Sequence, residues 1–219
     1  MTVLLTGFEP YGGRSVNPSE AIVRSLDGAM VAGELIEGRC LAVELRSVGP
    51  AIRAAIEETD PSLVLCLGLW PGAPMLRLER IAINHADFDL PDNAGLFARE
   101  PLDPLGPAAY AASLPLHAIR DRLLAAGIPC ELSGTAGQFL CNAVMYHALA
   151  ASAARNPTPP AGFIHLPYLP EQVAGVLAAS HAGQRQELRH YGDLASMELA
   201  RMCAGVTLAI ETGLAALAA

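Results

Sequence analysis

The chain has 219 residues, of which 52% are hydrophobic and 16% charged, so it can bury a substantial core and is too apolar to be disordered. Its formal net charge of −8, from 14 Lys and Arg against 22 Asp and Glu, argues against a nucleic-acid or anionic-membrane partner. These values predict one globular domain over residues 1–219 and leave a small, neutral or basic ligand open.

Short apolar runs rich in Val, Ile and Leu alternate with helical patterns along the chain. The apolar runs predict strands in segments 3–8, 62–69, 75–84, 128–133 and 162–167. The helical patterns lie near 19–27, 47–59, 115–126, 141–154, 171–180 and 193–213. This alternation predicts an α/β fold, a single-domain three-layer α/β/α sandwich with a mostly parallel, mixed central sheet.

Two long segments, 8–20 and 90–115, lack periodicity and are rich in glycine and proline. Loops of this length in a compact domain are usually functional or disordered. The first follows the first predicted strand directly, at the edge where open α/β sheets place their ligands. Segment 155–161 is predicted to be a plain surface connection.

The ends of the chain and its cysteines indicate a compartment. The N-terminal "MTVLLTGFEP" lacks the features of a secretory signal, and the apolar segment 202–219 is interrupted by Glu211 and two glycines, which favours a packed helix over a membrane span. The five cysteines include no CxxC pair and no metal-like spacing to histidine. We therefore expect a reducing cytoplasm, with no disulfide framework and no metal site.

Cys141 is the cysteine most suited to chemistry. The small residues of segment 134–137 precede it, and the helical pattern "NAVMYHALAAS" follows it. The positive end of a helix dipole lowers the pKa of a thiol, and the free N–H groups there can receive an oxyanion. The alternative is a small apolar residue in the first turn of a core helix, as we interpret Cys66 in its apolar strand.

A thiolate that acts on a peptide needs a proton carrier and a group that orients it. His165 lies at the end of the apolar strand in "GFIHLPY", although a histidine at such a position, taken alone, is more often a hydrogen-bonded structural residue than a base. Glu79 is a charge inside an apolar strand and could orient the imidazole. Taken alone, it also fits an exposed residue paired with Arg77 or Arg80.

Five segments carry a resemblance that joins these residues: "LLTGFEPYGGRSVNPS", "LERIAIN", "LPDNAG", "GTAGQFLCN" and "GFIHLPYLPEQ". In this order they resemble the pyroglutamyl peptidase I family, cysteine peptidases that remove an N-terminal pyroglutamyl residue. The family's catalytic order of Glu, Cys and His falls on Glu79, Cys141 and His165. The resemblance therefore implies that Cys141 is the nucleophile of an acyl-enzyme mechanism, His165 the proton carrier and Glu79 the group that orients the imidazole.

The resemblance also implies a substrate site. A pyroglutamyl group is a small, flat, uncharged lactam, so its site should be an apolar slot with a few hydrogen bonds. By resemblance, Phe8 and Tyr11 flank the ring, and Asn17 helps to hold the loop or the lactam. The implied partners are peptides with N-terminal pyroglutamate, without a cofactor, and the implied assembly is a homo-oligomer, commonly a tetramer in relatives.

The chain departs from the family pattern at Tyr11, where relatives commonly have phenylalanine, at Ala73, where they commonly have arginine, and at Gly134, where asparagine is frequent. These departures leave a second reading open, a catalytically impaired lactam-binding protein on the same scaffold. A phosphorylase-like or nucleosidase-like protein would need a basic phosphate or ribose site, and the sequence has no convincing one. A structural protein gives no reason for three catalytic residue types to fall in matching motifs.

Overall fold

The computed structural model describes residues 1–181 and 194–217, which contain eleven strands and six helices. The strands are β1 (Thr2–Phe8), β2 (Met30–Val31), β3 (Glu34–Leu41), β4 (Leu63–Leu69), β5 (Leu76–Glu79), β6 (Ile81–Ile83), β7 (Ala86–Asp87), β8 (Arg99–Glu100), β9 (Ala109–Ala111), β10 (Cys130–Ser133) and β11 (Ala161–Leu166). The helices are α1 (Pro18–Leu26), α2 (Leu45–Thr59), α3 (Leu116–Ala125), α4 (Leu140–Ala153), α5 (Pro170–His181) and α6 (Leu199–Leu217).

Seven strands form the central sheet in the order β10-β5-β11-β4-β1-β3-β2. Strand β1 runs parallel to β3 and β4, β4 runs parallel to β11, and β5 runs parallel to β10. The pairs β5–β11 and β2–β3 are antiparallel. The prediction of a mostly parallel, mixed sheet is therefore confirmed.

Helices cover both faces of this sheet because side chains alternate along each strand. In β1, Val3 and Leu5 belong to an apolar cluster with residues of α1, α3 and α6. Leu4 and Phe8 point the other way, into a second cluster with residues of α2 and α4. The fold is thus the predicted three-layer α/β/α sandwich.

Two features of the structure differ from the sequence-based prediction. Strand β3 was not expected, because only Ile36 and Leu41 of its eight residues are buried and its sequence shows no apolar run. Segment 75–84 forms two strands, β5 in the central sheet and β6, which pairs with β9 in a separate ribbon. The long segment 90–115 is therefore partly strand, since it supplies β8 and β9.

Helix α6 corresponds to the last predicted helix, whose proposed start at residue 193 lies outside the described residues. By length and composition alone it is long and apolar enough to cross a membrane. Such a test is also passed by core helices of globular proteins, and here Met202, Val206 and Ile210 of α6 are fully buried against the sheet. The interpretation as a packed helix fits this burial.

Candidate active site

The structure brings Glu79, His165 and Cys141 together from β5, β11 and α4. His165 Nδ1 lies 2.8 Å from Glu79 Oε1, and both side chains are buried, with exposures of 1% and 0%. An ionised carboxylate can only accept hydrogen bonds, so Nδ1 carries the proton in this pair. The other imidazole nitrogen, Nε2, is then the one that can act as a base.

Gly68 leaves room for the sulfur of Cys141 on the strand next to His165. Cys141 is the second residue of α4, and a Cβ placed on Gly68 would lie only 2.6 Å from its Sγ. Gly68 itself pairs with His165 in the register of β4 and β11. The thiol therefore lies over the strand that neighbours His165, although sequence reasoning did not single out this glycine. A glycine inside a continuous apolar strand is the available signal, because it marks close approach by another group.

Burial sets the protonation of the resting site. It lowers the pKa of His165, while the hydrogen bond and charge of Glu79 act in the opposite direction. Burial, followed by the Glu79 charge, raises the pKa of the Cys141 thiol, against a smaller opposing effect of its own backbone N–H. Both directions oppose the charged forms of the two groups, whereas the position at a helix N-terminus predicts a lowered thiol pKa.

We expect Gly68→Ala to lower the kcat of any reaction that uses the Cys141 sulfur by about 100-fold or more, because a methyl group on residue 68 must displace that sulfur. The measurement is steady-state kinetics on folded protein, with Gly175→Ala as the control. A Cβ at Gly175 meets no atom within 4 Å in the described part of the chain. A Gly68→Ala variant with kcat near wild type would place the reacting sulfur elsewhere.

Glu79 is buried, so the interpretation of Glu79 as an exposed residue was wrong. The predicted pairing with an arginine is nevertheless present, since Arg77 Nε lies 3.4 Å from Glu79 Oε1. The Arg77 guanidinium also lies over the Trp70 ring, 4.4 Å from its centroid. The Trp70 and His165 rings pack in a T-shaped arrangement, with their centroids 4.8 Å apart. Arg80 instead donates through Nε to the Ser133 carbonyl.

Tyr11, Phe88 and Phe139 form an aromatic group that belongs to the same apolar cluster as Cys141. The ring centroids of Tyr11 and Phe139 are 5.8 Å apart, and those of Phe139 and Phe88 are 4.4 Å apart. Burial raises the pKa of the Tyr11 hydroxyl, so it stays neutral. Phe8 is also buried, within the apolar cluster between the sheet and α2 and α4.

Asn17 holds the first loop through both ends of its side-chain amide. Its Oδ1 accepts hydrogen bonds from the Ser19 N–H and hydroxyl, which caps α1, and its Nδ2 donates to the Glu9 carbonyl at 2.9 Å. Of the two roles considered for Asn17, the structure therefore displays the contacts needed to hold the loop. Because Asn17 is 1% exposed, these bonds also satisfy an otherwise buried polar group.

Comparison with known proteins identifies the family. The model of the pyroglutamyl peptidase family matches residues 1–216. The chain belongs to the pyroglutamyl peptidase family. The resemblance carried by the five sequence segments is thus confirmed, and this pyroglutamyl peptidase family member is a hydrolase.

Relatives and solved structures agree with the family assignment. The pyrrolidone-carboxylate peptidase of Chromobacterium violaceum is 41% identical over 217 residues, covering 97% of this chain and 92% of that one. That of Gloeobacter violaceus is 39% identical, covering 96% of each chain. The crystal structure of pyrrolidone carboxyl peptidase from the hyperthermophile Pyrococcus furiosus superimposes with a TM-score of 0.90 at 38% identity, covering 99% of this chain and all of that one.

Asn142 is a further residue of this pyroglutamyl peptidase family member that sequence reasoning missed. It follows Cys141 and is 1% exposed. Its Oδ1 accepts from the Ile83 N–H, and its Nδ2 donates to the carbonyls of Ile83 and His85. These bonds fix the first turn of α4 to β6. Its position directly after Cys141 in "LCN" was the available signal in the sequence.

At the position of the missing family arginine, Ala73 is 2% exposed and its N–H donates to the Trp70 carbonyl at 3.1 Å. The segment after β4 is therefore a closed turn.

Two open cavities, of about 560 and 570 Å³, lie near α2 and the segment after β7, and both are lined by Arg46 and Glu100 but not by Cys141. Within residues 1–181 and 194–217, no three His, Cys, Asp or Glu side chains are grouped to hold a metal ion.

Proposed function

We propose that the protein is a cysteine peptidase that removes N-terminal pyroglutamate from peptides through Cys141, His165 and Glu79. The observation that carries this proposal is the buried 2.8 Å contact between His165 and Glu79 next to the strand on which the Cys141 sulfur rests. Membership of the pyroglutamyl peptidase family supports the substrate class. The names of the relatives, pyrrolidone-carboxylate peptidase, point to the same lactam acid.

The first half of the reaction forms a thioester. His165 Nε2 removes the proton of the neutral Cys141 thiol as Sγ attacks the pyroglutamyl carbonyl carbon. The tetrahedral intermediate collapses as the C–N bond breaks, and the same proton passes from the imidazolium to the departing α-amine. Glu79 holds Nδ1–H and stabilises the imidazolium while it exists.

The second half hydrolyses the thioester. Water attacks the acyl carbon as Nε2 takes its proton, the C–S bond breaks, and the proton returns to sulfur, releasing pyroglutamate. The oxyanion of both steps would be held by N–H groups in the first turn of α4. Helix N-termini leave such groups free, and in the described structure no side chain caps this one.

Recognition of the lactam is assigned to the aromatic side chains of the first loop and the segment before α4. Tyr11 and Phe8 would flank the ring, while Asn17 holds the first loop in place. A charged α-amine in this buried site would lose its hydration without gaining a partner, so ordinary N-termini should be rejected. A cytoplasmic location and a homo-oligomer stay predictions of the sequence.

The test is release of a fluorescent amine from a pyroglutamyl-amide substrate, beside the matched prolyl and alanyl amides. We expect turnover of the pyroglutamyl compound to exceed that of the other two by about 100-fold or more, since the prolyl and alanyl amides carry a charged α-amine that would be buried without a partner. Comparable rates on all three would contradict the lactam assignment. Tight binding of pyroglutamate by folded protein without turnover would favour the lactam-binding alternative.

A further inference from the structure

The position of Arg77 in the central sheet places it beside Glu79 and His165. Residues 77 and 79 of β5 share one face of the strand, since side chains alternate. Arg77 pairs with Glu131 on β10 and with His165 on β11, and Gly68 follows on β4. A single line across the sheet therefore runs from Glu131 through Arg77 and His165 to the glycine beneath the Cys141 sulfur.

The Arg77 guanidinium is fixed from several sides. It donates to Glu131 Oε1 at 2.9 Å and to the Ser133 hydroxyl at 2.8 Å, and it lies over the Trp70 ring. A planar guanidinium combines such directed bonds with stacking, which a lysine cannot reproduce. With a side-chain exposure of 20%, Arg77 is shielded from solvent far more than an ordinary surface arginine.

The Glu79 carboxylate requires such a cation. It is 0% exposed; its Oε1 faces both His165 and Arg77, and its Oε2 has no hydrogen-bond partner among the described residues. A buried carboxylate without a positive neighbour takes up a proton. The titratable or charged groups around it are Arg77 on β5, His165 on β11, Cys141 on α4, Cys66 on β4 and, through Arg77, Glu131 on β10. Within this group, Arg77 alone has a permanent positive charge.

We propose that Arg77 is a positioning residue for the reaction: its guanidinium, held by Trp70, Glu131 and Ser133, places a fixed positive charge beside the Glu79 carboxylate and keeps that carboxylate directed at His165. This inference rests on the proposed function, since it assigns Arg77 a role in that same site. Arg77 acts on the imidazole in a second way, because its charge lowers the pKa of His165 and favours the neutral base. At 3.4 Å its contact with Glu79 is a weak hydrogen bond, so charge carries the effect.

The experiment compares the pH profiles of kcat and kcat/KM for pyroglutamyl-amide hydrolysis by wild type, Arg77→Met and Arg77→Lys. The Arg77 charge lowers the pKa of His165, so in Arg77→Met we expect the acidic limb of kcat/KM to move up by about one pH unit. We also expect kcat at pH 7 to fall about tenfold, with KM changed less than about twofold. Arg77→Lys should return the limb toward its wild-type position.

The neighbouring Arg80→Met serves as the control, because Arg80 is exposed and bonds only the Ser133 carbonyl among the described contacts. A merely structural role of Arg77 would lower activity equally at every pH and leave the acidic limb in place, which would overturn the proposal. A readout independent of turnover is NMR titration of the histidine imidazoles, with His165 assigned through His165→Asn. If wild type cleaves no pyroglutamyl amide, the proposed function fails, whereas an unmoved His165 titration in Arg77→Met defeats this inference alone.

Discussion

Cys141→Ser should lower kcat for a pyroglutamyl-amide substrate by at least about 10⁴-fold, because it removes the thiol that is proposed to form the covalent intermediate. The serine hydroxyl is a far weaker acid than the thiol, and His165 in this site is matched to a thiol whose proton it must remove. The substitution is nearly isosteric, so Gly68 still accommodates the side chain. Steady-state kinetics, with circular dichroism to verify folding, measure the effect.

The matched control for Cys141→Ser is Cys40→Ser. Cys40 is an exposed thiol on β3, outside the candidate site. We expect this variant to keep wild-type turnover. Cys141→Ser should still bind pyroglutamate, since the substitution leaves Phe8 and Tyr11 unchanged. Retained turnover in Cys141→Ser would remove the thiol from the mechanism.

The sequence was sufficient for the central layers of the fold. The apolar segment 62–69 is almost free of polar residues, which is the pattern of a strand covered on both faces, and it forms β4 in the middle of the sheet. Strand β3 lies toward the edge, where one face meets solvent, so Glu37 and Arg39 interrupt its apolar pattern. Local hydrophobicity therefore predicts central strands better than peripheral ones.

The surroundings of Glu79 could not be predicted from the local sequence pattern. The sequence offered Arg77 or Arg80 as an ion-pair partner but placed the pair on an exposed face. Burial of Glu79 depends on the antiparallel pairing of β5 with β11, a register fixed by the whole sheet. The stacking of Arg77 on Trp70 joins the turn after β4 to β5 and has no signature in residue spacing.

The thiol pKa shows the same division between local and global causes. The position of Cys141 at the start of α4 was readable from the small residues before it and the helical pattern after it. The dipole argument then suggested a lowered pKa. Desolvation depends on what packs around the sulfur, including Gly68 and Phe163 from two different strands, and it dominates in the structure. The helix was predictable, whereas the solvation of its first turn was not.

The Glu79→Gln substitution should lower kcat about 10³-fold to 10⁴-fold while preserving the fold. If the amide presents its oxygen to Nδ1, the tautomer is kept but the charge that stabilises the imidazolium is lost. If it presents its NH₂ group, Nδ1 must accept, so the proton moves to Nε2 and the base is lost. Both arrangements fit the 2.8 Å contact, and both impair catalysis.

Glu79→Asp separates charge from reach. It keeps the carboxylate but shortens the side chain by one methylene, so we expect a kcat between those of wild type and Glu79→Gln. Kinetics at pH 7, with urea unfolding to compare stability, make the test. An ion pair with Arg77 that served only stability would give the opposite pattern: a shifted unfolding midpoint and an unchanged kcat in Glu79→Gln. Because Glu79 is fully buried and its Oε1 faces the imidazole, the loss should fall on kcat.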